Sequence, residues 1–375
     1  MRILIAGGGT GGHFYPALAV IEELIERRSG AKLAYIGTRR GIEARVLKEH
    51  PQVLFHAIKA RGLKPGRPFS NIIALAYVAL AVMQSAAFII GFRPQVIIGM
   101  GGYASFAPIL TGIILGRIIP IRTVLHEQNV IAGLANRILS RFVDRIFVSY
   151  EETALELGRR DRTVVTGNPI RKEFLLARRN ESLYRKLGLD PDRRTVLVFG
   201  GSNGSATLNK AVLRAQSVMS QSRDVQVLLI VGNTDDGPAI KESLLKAGAG
   251  NVVVHRYIEK MGEAFAVADL IVCRAGATTI AEITSCGKPA ILIPWQDAAN
   301  GHQEANARIL ARENACRFVK EKDIQPLGLV TLIRRMLDDE NLLEEMAGNS
   351  LRMGRRRATS TVLDEILALA REAHV

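Results

Sequence analysis

Residues 2–13 read Arg2-Ile3-Leu4-Ile5-Ala6-Gly7-Gly8-Gly9-Thr10-Gly11-Gly12-His13, and this stretch decides the fold of the first half of the chain. Its apolar first part predicts a buried parallel strand. The glycines predict a tight turn that lets the backbone approach a ligand closely, and residues 14–24 predict a helix. Because the first N–H groups of a helix have no partner within it, the junction predicts a site that favours a phosphate or a developing anion.

The spacing Gly7-x-Gly9-x-x-Gly12 also matches the fingerprint of dinucleotide-binding proteins. Those proteins usually place a carboxylate after the second strand to bind the ribose, whereas the predicted second strand, residues 32–37, is followed by Thr38-Arg39-Arg40. The two arginines could bind the additional phosphate of NADP, so an NADP-dependent oxidoreductase remains an alternative. A P-loop is excluded because no Gly-Lys-Ser/Thr follows the glycines. His13 indicates proton transfer instead, because imidazole titrates near neutral pH.

The length and composition predict a globular protein with two domains. The chain has 375 residues, which exceeds one ordinary hydrophobic core. Its three cysteines form no Cys-x-x-Cys pair, so we expect reduced thiols in a cytosolic protein and no metal site. No signal peptide is expected, because the sequence enters a predicted strand at residue 2.

The net charge of +14 predicts an anionic partner. Nucleic acid is disfavoured, because the sequence has neither zinc-finger spacing nor an aromatic RNA-binding motif. An anionic membrane surface is favoured, since uncharged residues 68–92 are preceded by four cations and followed by Arg93; the four are Lys59, Arg61, Lys64 and Arg67. The apolar segment is long enough to span a bilayer, but the strands on either side must join one sheet, so we predict a crossover helix. Two interpretations stay open: burial in the core, or a helix pair whose outer face rests on lipid.

Predicted strands alternate with predicted helices along the chain, which indicates two doubly wound, Rossmann-like α/β domains. The pattern breaks at Gly167-Asn168-Pro169 and restarts where residues 195–199 run into a second glycine turn, Gly200-Gly201-Ser202-Asn203-Gly204-Ser205. We therefore expect domains over residues 1–167 and 168–357, with a final helix over about 358–375. Because ligand sites in such domains lie at the carboxyl ends of the strands, we expect the domains to face each other across a cleft.

Three further polar motifs follow predicted strands. The first, Cys273-Arg274-Ala275-Gly276-Ala277-Thr278-Thr279-Ile280-Ala281-Glu282, predicts a diphosphate cradle at a helix start. Glu282 is placed either to accept hydrogen bonds from two ribose hydroxyls or to serve as a capping or surface carboxylate. The second, residues 302–306, is predicted to form a polar loop that reads sugar hydroxyls. The third, His126-Glu127-Gln128-Asn129, lacks the second histidine of a zinc motif, so we interpret its side chains as substrate contacts.

Together these motifs resemble the MurG family of bacterial peptidoglycan N-acetylglucosaminyltransferases, which are of the two-domain GT-B type. The resemblance covers essentially the whole chain and rests on an ordered set of motifs: Gly-Gly-Thr-Gly-Gly-His, Gly-Gly-Tyr, His-Glu-Gln-Asn, Gly-Asn-Pro-x-Arg, Gly-Gly-Ser-x-Gly and Cys-Arg-x-Gly-Ala. It implies transfer of N-acetylglucosamine from UDP-N-acetylglucosamine to the 4-hydroxyl of undecaprenyl-diphospho-N-acetylmuramoyl-pentapeptide (lipid I), forming lipid II. It also implies a peripheral protein at the cytoplasmic face of the cell membrane, acting in cell-wall biogenesis and thereby in cell shape and division.

The resemblance further implies which residues bind the donor. They are Thr10, Gly11, Gly12, Asn129, Arg171, Ser202, Ile258 at the uracil edge, Ala277, Thr278, Thr279, Ile280, Ala281 and Glu282 at the diphosphate and ribose, and Gln303 at the sugar. The first domain is then the acceptor and membrane domain, the second binds the UDP-sugar, and the final helix packs back on the first. We expect neither a cofactor nor a metal ion.

His13 is the predicted general base for the acceptor hydroxyl, with helix capping or acceptor orientation as the alternative. Direct displacement would invert the anomeric centre, and helix N-termini together with Arg171 could stabilise the departing UDP. Other functions remain as alternatives: a two-domain UDP-sugar epimerase, a glycolipid transferase with another acceptor, and a non-enzymatic basic membrane-binding protein.

Overall fold

The computed structural model describes residues 1–27, 30–62, 68–219, 224–232, 237–246 and 250–372. Its contacts divide the chain into two compact units. Unit 1 comprises Met1–Ile170 and Arg357–Val375, and unit 2 comprises Arg171–Arg356. Lys64 and Arg67, two of the cations expected beside the apolar segment, lie outside the described residues.

Unit 1 is a parallel sheet covered by helices on both faces. In its described part the strands are β1 (Arg2–Ala6), β2 (Lys32–Gly37), β3 (Val53–Ala57), β4 (Val96–Gly99), β5 (Arg122–Glu127), β6 (Arg145–Val148) and β7 (Thr163–Val165). The helices are α1 (Gly11–Glu26), α2 (Ile42–Val46), α3 (Pro68–Phe92), α4 (Tyr103–Leu115), α5 (Leu134–Leu139), α6 (Glu151–Leu157) and, from the end of the chain, α16 (Ala358–Glu372). A 3₁₀ turn, Leu47–Glu49, follows α2.

Burial on both faces explains why β1 is a continuous apolar run. Successive side chains of a strand point to opposite faces; accordingly, Ile3 and Ile5 pack in one core cluster and Leu4 in the other. Helix α16 packs on α1 and contributes Val362 to the Ile3 cluster. The last helix of the chain is thus built into the core of unit 1.

Helix α3 connects β3 to β4 and packs on α4. Within the described residues, Ala74–Phe92 is long and apolar enough to cross a bilayer, and 17% of this window is buried. Ala81 and Ile89 of this helix pack in the sheet core with Leu4. Because β3 and β4 belong to one sheet, α3 is a crossover helix of that sheet, with only one stripe of its surface in the core.

Unit 2 repeats the same architecture. Its described strands are β8 (Arg194–Phe199), β9 (Val225–Ile230), β10 (Val252–His255), β11 (Leu270–Cys273), β12 (Ala290–Leu292) and β13 (Arg317–Phe318). Its helices are α7 (Lys172–Leu176), α8 (Glu181–Leu187), α9 (Ala206–Met219), α10 (Gly237–Lys246), α11 (Met261–Val267), α12 (Ala277–Cys286), α13 (His302–Arg312), α14 (Pro326–Asp338) and α15 (Glu340–Met353). Two 3₁₀ turns, Ala299–Gly301 and Glu321–Asp323, precede α13 and α14.

Strand order fixes where each unit can bind a ligand. The order is β3-β2-β1-β4-β5-β6-β7 in unit 1 and β10-β9-β8-β11-β12-β13 in unit 2, and all the pairings are parallel. The chain direction across the sheet reverses between β1 and β4, and again between β8 and β11. Crevices form at these points, outside the carboxyl ends of the strands. The predicted class, two doubly wound Rossmann-like domains, is confirmed.

Several local predictions need correction. Helix α1 begins at Gly11, three residues earlier than residues 14–24 suggested, because the chain has already turned at Gly8 and Gly9. Residues 302–306 form the first turns of α13, so the prediction of a polar loop there was wrong. The short strand β13 was missed, because two residues carry no readable period.

Candidate active site

The opening loop of unit 1 is shaped by close packing against a buried carboxylate. Gly8 has φ +148°, and a Cβ there would lie 2.3 Å from Glu43 Oε1. Glu43 is fully buried and accepts hydrogen bonds from the Thr38 N–H and hydroxyl, at 2.8 and 2.9 Å. The loop therefore needs glycine at this position, and it delivers the chain into α1 with Thr10 as the residue before the helix.

The predicted residues of this loop occupy the first turn of α1. Gly11 is buried, whereas Thr10 and Gly12 are exposed. His13 follows within the same turn, and its Nδ1 lies 3.1 Å from Oε1 of Gln128, which follows β5. The structure thus brings together the two loops that the sequence placed after β1 and β5.

The His126–Asn129 motif is mostly internal, which corrects our interpretation of its side chains as substrate contacts. His126, Glu127 and Gln128 are buried. Glu127 accepts hydrogen bonds from the backbone N–H and the side-chain amide of Asn129, at 3.0 and 3.1 Å, and from the amide of Asn136 at 2.8 Å. Only the half-buried Asn129 is exposed enough to reach a ligand. Strand β5 runs two residues farther than expected, to Glu127, and this extension draws the first two side chains of the motif into the interior.

In unit 2, helices α9 and α12 begin at the reversal point of the sheet, because they follow β8 and β11. Ser202 lies in the turn between β8 and α9, and Ala277 is the first residue of α12, preceded by Gly276. The predicted residues Ala277, Thr278 and Ile280 are buried, whereas Thr279 and Ala281 are half-buried. Backbone N–H groups at the start of α12 can bind an anion.

Glu282 lies on α12 and forms an ion pair with Arg171. The Arg171 Nη2 to Glu282 Oε1 distance is 3.4 Å, and Nη1 of the same guanidinium lies 3.0 Å from Glu173 Oε1. Burial raises the pKa of Glu282 to about 7, and Arg171 opposes that rise. Burial also raises the pKa of Glu173, again against Arg171. One guanidinium therefore holds one buried and one half-buried carboxyl group, and the guanidinium also packs over Phe174.

Arg274 connects several loops of unit 2, although it is not among the predicted donor contacts. Its Nη2 donates to Ser205 Oγ at 2.8 Å and to Glu321 Oε1, and its Nη1 donates to the backbone carbonyls of Ile293 and Pro294. The turn after β8, the end of β11 and the segment after β12 are thereby linked through one side chain. Its position directly after β11, between a cysteine and a glycine turn, was the available signal.

Gln303 and Ile258, two predicted donor contacts, follow β12 and β10, respectively. Gln303 Oε1 accepts a hydrogen bond from the backbone N–H of Trp295 at 3.0 Å, so the start of α13 is tied to the segment after β12. Ile258 is buried after β10. Among the described residues, no group of three His, Cys, Asp or Glu side chains could hold a metal ion.

A wide apolar surface lies on the α3, α4 and α5 side of unit 1. We call it the apolar face; its exposed members are Leu75, Tyr77, Leu80, Met83 and Ile90 on α3, Ile114 and Ile118 at the end of α4, and Leu134, Ile138 and Phe142 around α5. Helix α4 packs on both α3 and α5. An exposed arginine follows each of the three helices: Arg93, Arg117 and Arg141.

Two Rossmann-like units, each with a crevice at the reversal point of its sheet, define the GT-B class of two-domain proteins. Sequence models of the glycosyltransferase family 28 N-terminal and C-terminal domains match residues 3–148 and 195–362. The chain belongs to this family of glycosyltransferases.

Individual relatives narrow the family further. The UDP-N-acetylglucosamine--N-acetylmuramyl-(pentapeptide) pyrophosphoryl-undecaprenol N-acetylglucosamine transferase of Desulforudis audaxviator is 37% identical over 99% of both chains. The Bacillus subtilis protein of the same name is 36% identical over 98% of this chain and 99% of its own. The crystal structure of Acinetobacter baumannii MurG superimposes with a TM-score of 0.73 at 27% identity, covering 98% of this chain and 99% of that one. A UDP-GlcNAc 2-epimerase from Neisseria meningitidis shares the fold, with a TM-score of 0.69 at 13% identity over 98% of this chain and 100% of that one.

Proposed function

We propose that this protein transfers N-acetylglucosamine from UDP-N-acetylglucosamine to the 4-hydroxyl of the muramoyl sugar in lipid I, with inversion, to form lipid II. The N-acetylglucosamine transferases described above support this reaction, because they are 36–37% identical to this protein over nearly the whole chain. The observation that carries the proposal is the buried Glu282 on α12, at the reversal point of unit 2, where a carboxylate can accept hydrogen bonds from two vicinal ribose hydroxyls.

In this proposal unit 2 binds most of the donor. The backbone at the start of α12 binds the diphosphate, Glu282 the ribose, Ile258 the uracil edge and Gln303 the sugar. The remaining proposed donor contacts are Arg171 and Ser202 in unit 2 and Thr10, Gly11, Gly12 and Asn129 in unit 1.

His13 acts as the general base in this scheme. The proton of the acceptor 4-hydroxyl passes to the imidazole as the oxygen attacks C1 of N-acetylglucosamine. The bond from C1 to the diphosphate oxygen breaks, its electron pair leaves with UDP, and the α-linked donor becomes a β-linked product. Helix N-termini and Arg171 stabilise the leaving charge. General-base catalysis of this kind contributes about 10²–10⁴-fold to the rate.

The apolar face is the proposed membrane contact. Its exposed side chains, such as Met83 at 69% and Ile118 at 83%, insert shallowly among lipid chains, while Arg93, Arg117 and Arg141 meet anionic headgroups. The protein then works as a peripheral membrane protein at the cytoplasmic face, where a lipid-linked acceptor is available. We further propose that nucleic acid is not a partner.

A UDP-release assay with and without lipid I tests the proposed reaction. We expect release from UDP-N-acetylglucosamine only with lipid I, together with formation of a disaccharide product. Release or sugar isomerisation without lipid I would instead support an epimerase, and release with a different lipid sugar would support another acceptor.

The His13→Ala variant tests the proposed base. Its kcat should fall about 10²-fold or more; near-normal turnover at saturating substrates would refute the role of His13 as the base.

Cosedimentation with vesicles tests the membrane contact. Binding should be stronger to vesicles with anionic lipids and should weaken in high salt, because salt screens the arginine–headgroup attraction. Binding that persists unchanged in high salt would assign it to apolar insertion alone.

A further inference from the structure

Four buried side-chain and backbone groups form a chain of hydrogen bonds that ends at His13. His126 Nε2 lies 3.0 Å from the carbonyl oxygen of Gly167, and His126 Nδ1 lies 3.1 Å from Gln128 Nε2. Gln128 Nε2 also lies 2.8 Å from the carbonyl oxygen of Met100, and Gln128 Oε1 lies 3.1 Å from His13 Nδ1. All of these residues belong to unit 1.

The two backbone carbonyls set the direction of every bond in this chain. A carbonyl only accepts hydrogen bonds, so the Gln128 atom next to Met100 must be the NH₂ group. The amide oxygen of Gln128 then faces His13. The Gly167 carbonyl likewise requires a proton on His126 Nε2. Burial lowers the pKa of His126 to about 4, so its ring is neutral at neutral pH and its Nδ1 is an acceptor for the Gln128 amide.

Both carbonyls thus lead independently to the same orientation of the Gln128 amide. Its oxygen can only accept a hydrogen bond, so His13 must carry a proton on Nδ1. A neutral imidazole with a proton on Nδ1 has its lone pair on Nε2. Gly101 provides the room for this contact, because a Cβ at Gly101 would lie 2.8 Å from His13 Nδ1 and 3.3 Å from Gln128 Oε1.

We infer that Gln128 is a positioning residue that, supported by His126, holds His13 in the tautomer with its basic nitrogen at Nε2. The inference rests on the proposed role of His13 as the base. In catalytic and metal-binding histidines, a second group commonly fixes the tautomer by forming a hydrogen bond with the ring nitrogen that does not react. Here an uncharged amide takes that part in place of a carboxylate.

The tautomer itself can be measured without any substrate. In ¹⁵N-histidine-labelled protein, the His13 resonances, assigned by their loss in His13→Ala, should show a protonated Nδ1 and an unprotonated Nε2 in the neutral ring. The Gln128→Met variant keeps the length of the side chain and removes its hydrogen bonds, so His13 should shift towards a mixture of tautomers. In Gln128→Glu, burial favours the protonated carboxyl, whose hydroxyl can donate to the Met100 carbonyl while its other oxygen faces His13, so the wild-type tautomer should be retained.

Kinetics with lipid I provides the second readout. Gln128→Met should lower kcat about 10–100-fold, within the range for a mispositioned general base, with KM for UDP-N-acetylglucosamine within twofold of wild type. Gln128→Glu should recover most of this loss. The control is Gln226→Met, which removes an equally buried amide network at the amino end of β9, on the edge of the unit 2 sheet opposite the ligand crevice, and should leave kcat and the His13 tautomer unchanged.

The outcomes separate this inference from the proposed function. A wild-type His13 tautomer in Gln128→Met would overturn the positioning role, and so would a kcat in that variant equal to the Gln226→Met control when His13→Ala is impaired. A tautomer shift in Gln128→Met combined with full activity of His13→Ala would support the hydrogen-bond chain and refute only the catalytic role of His13.

Discussion

Replacing Glu282 with glutamine should stabilise unit 2 and at the same time weaken UDP binding. Burial raises the pKa of Glu282 from its ordinary value of 4.5 to about 7. Each pKa unit corresponds to about 1.4 kcal/mol, so the buried charge lowers stability by roughly 3 kcal/mol above pH 7. Glutamine keeps the shape and the contact with Arg171 without that charge.

The raised pKa of Glu282 also determines how the stability of unit 2 changes with pH. Because the folded pKa lies above the unfolded one, the folded state holds an extra proton between pH 4.5 and about 7. The stability from this proton is complete below pH 4.5 and is lost as the pH rises through about 7. Glu282→Gln should therefore match wild type at pH 4.5 and exceed it at pH 8. At 2–4 °C per kcal/mol, the gain corresponds to about 6–12 °C in melting temperature for a domain of this size.

Tryptophan fluorescence can follow this unit by itself, because the one tryptophan of the chain, Trp295, lies in unit 2. Melting curves at pH 4.5, 6 and 8 give the stability, and calorimetric titration with UDP at pH 8 gives the affinity. Loss of the charged acceptor for the ribose should raise Kd for UDP about 10–100-fold. Glu340→Gln, at an exposed carboxylate of the same unit, is the control and should change neither quantity. A variant less stable than wild type at pH 8, or equally stabilised at both extremes, would refute the reasoning.

Three further predictions concern the apolar face, the loops that Arg274 connects, and helix α16. Met83→Glu should weaken vesicle binding about tenfold or more, since burying one such side chain contributes about 1.5–3 kcal/mol. Leu327→Glu, at a comparably exposed position of unit 2, is the control and should not weaken binding. Equal effects of the two variants in a cosedimentation assay would contradict membrane contact through the apolar face. Arg274→Lys should raise KM for UDP-N-acetylglucosamine roughly tenfold, because one ammonium cannot span the four acceptors of the guanidinium. Arg334→Lys, at a half-buried arginine of the same unit, is the control, and an unchanged KM in Arg274→Lys would exclude a role for Arg274. Ile366→Ala should destabilise unit 1 by about 2–5 kcal/mol, because Ile366 of α16 is fully buried in the core of that unit. Circular dichroism should then show a transition at lower temperature, while the melting curve from Trp295 fluorescence stays unchanged. Parallel shifts of both signals would count against α16 being part of the unit 1 core alone.

The sequence by itself determined the class of fold and the edge of each sheet where a crevice forms. Apolar runs such as residues 2–6 are buried on both faces, and glycine turns follow the strands at the reversal points, so local pattern was sufficient. Glu282 could likewise be chosen from its place after β11. The membrane hypothesis followed from the uncharged α3, although burial of a single stripe of that helix could not be read from a uniformly apolar sequence.

Only the tertiary structure decided which polar side chains face inward. His13 and Gln128 are 115 residues apart, and they meet because β1 and β5 both end at one edge of the sheet. The sequence suggested that Gln128 contacts substrate, whereas in the structure its amide forms hydrogen bonds with Met100, His126 and His13. Hydrogen-bond direction and burial depend on neighbours from distant strands, which a local pattern does not contain. For the same reason the raised pKa of Glu282 follows from its burial, and the partial opposition to it from Arg171, on a different element.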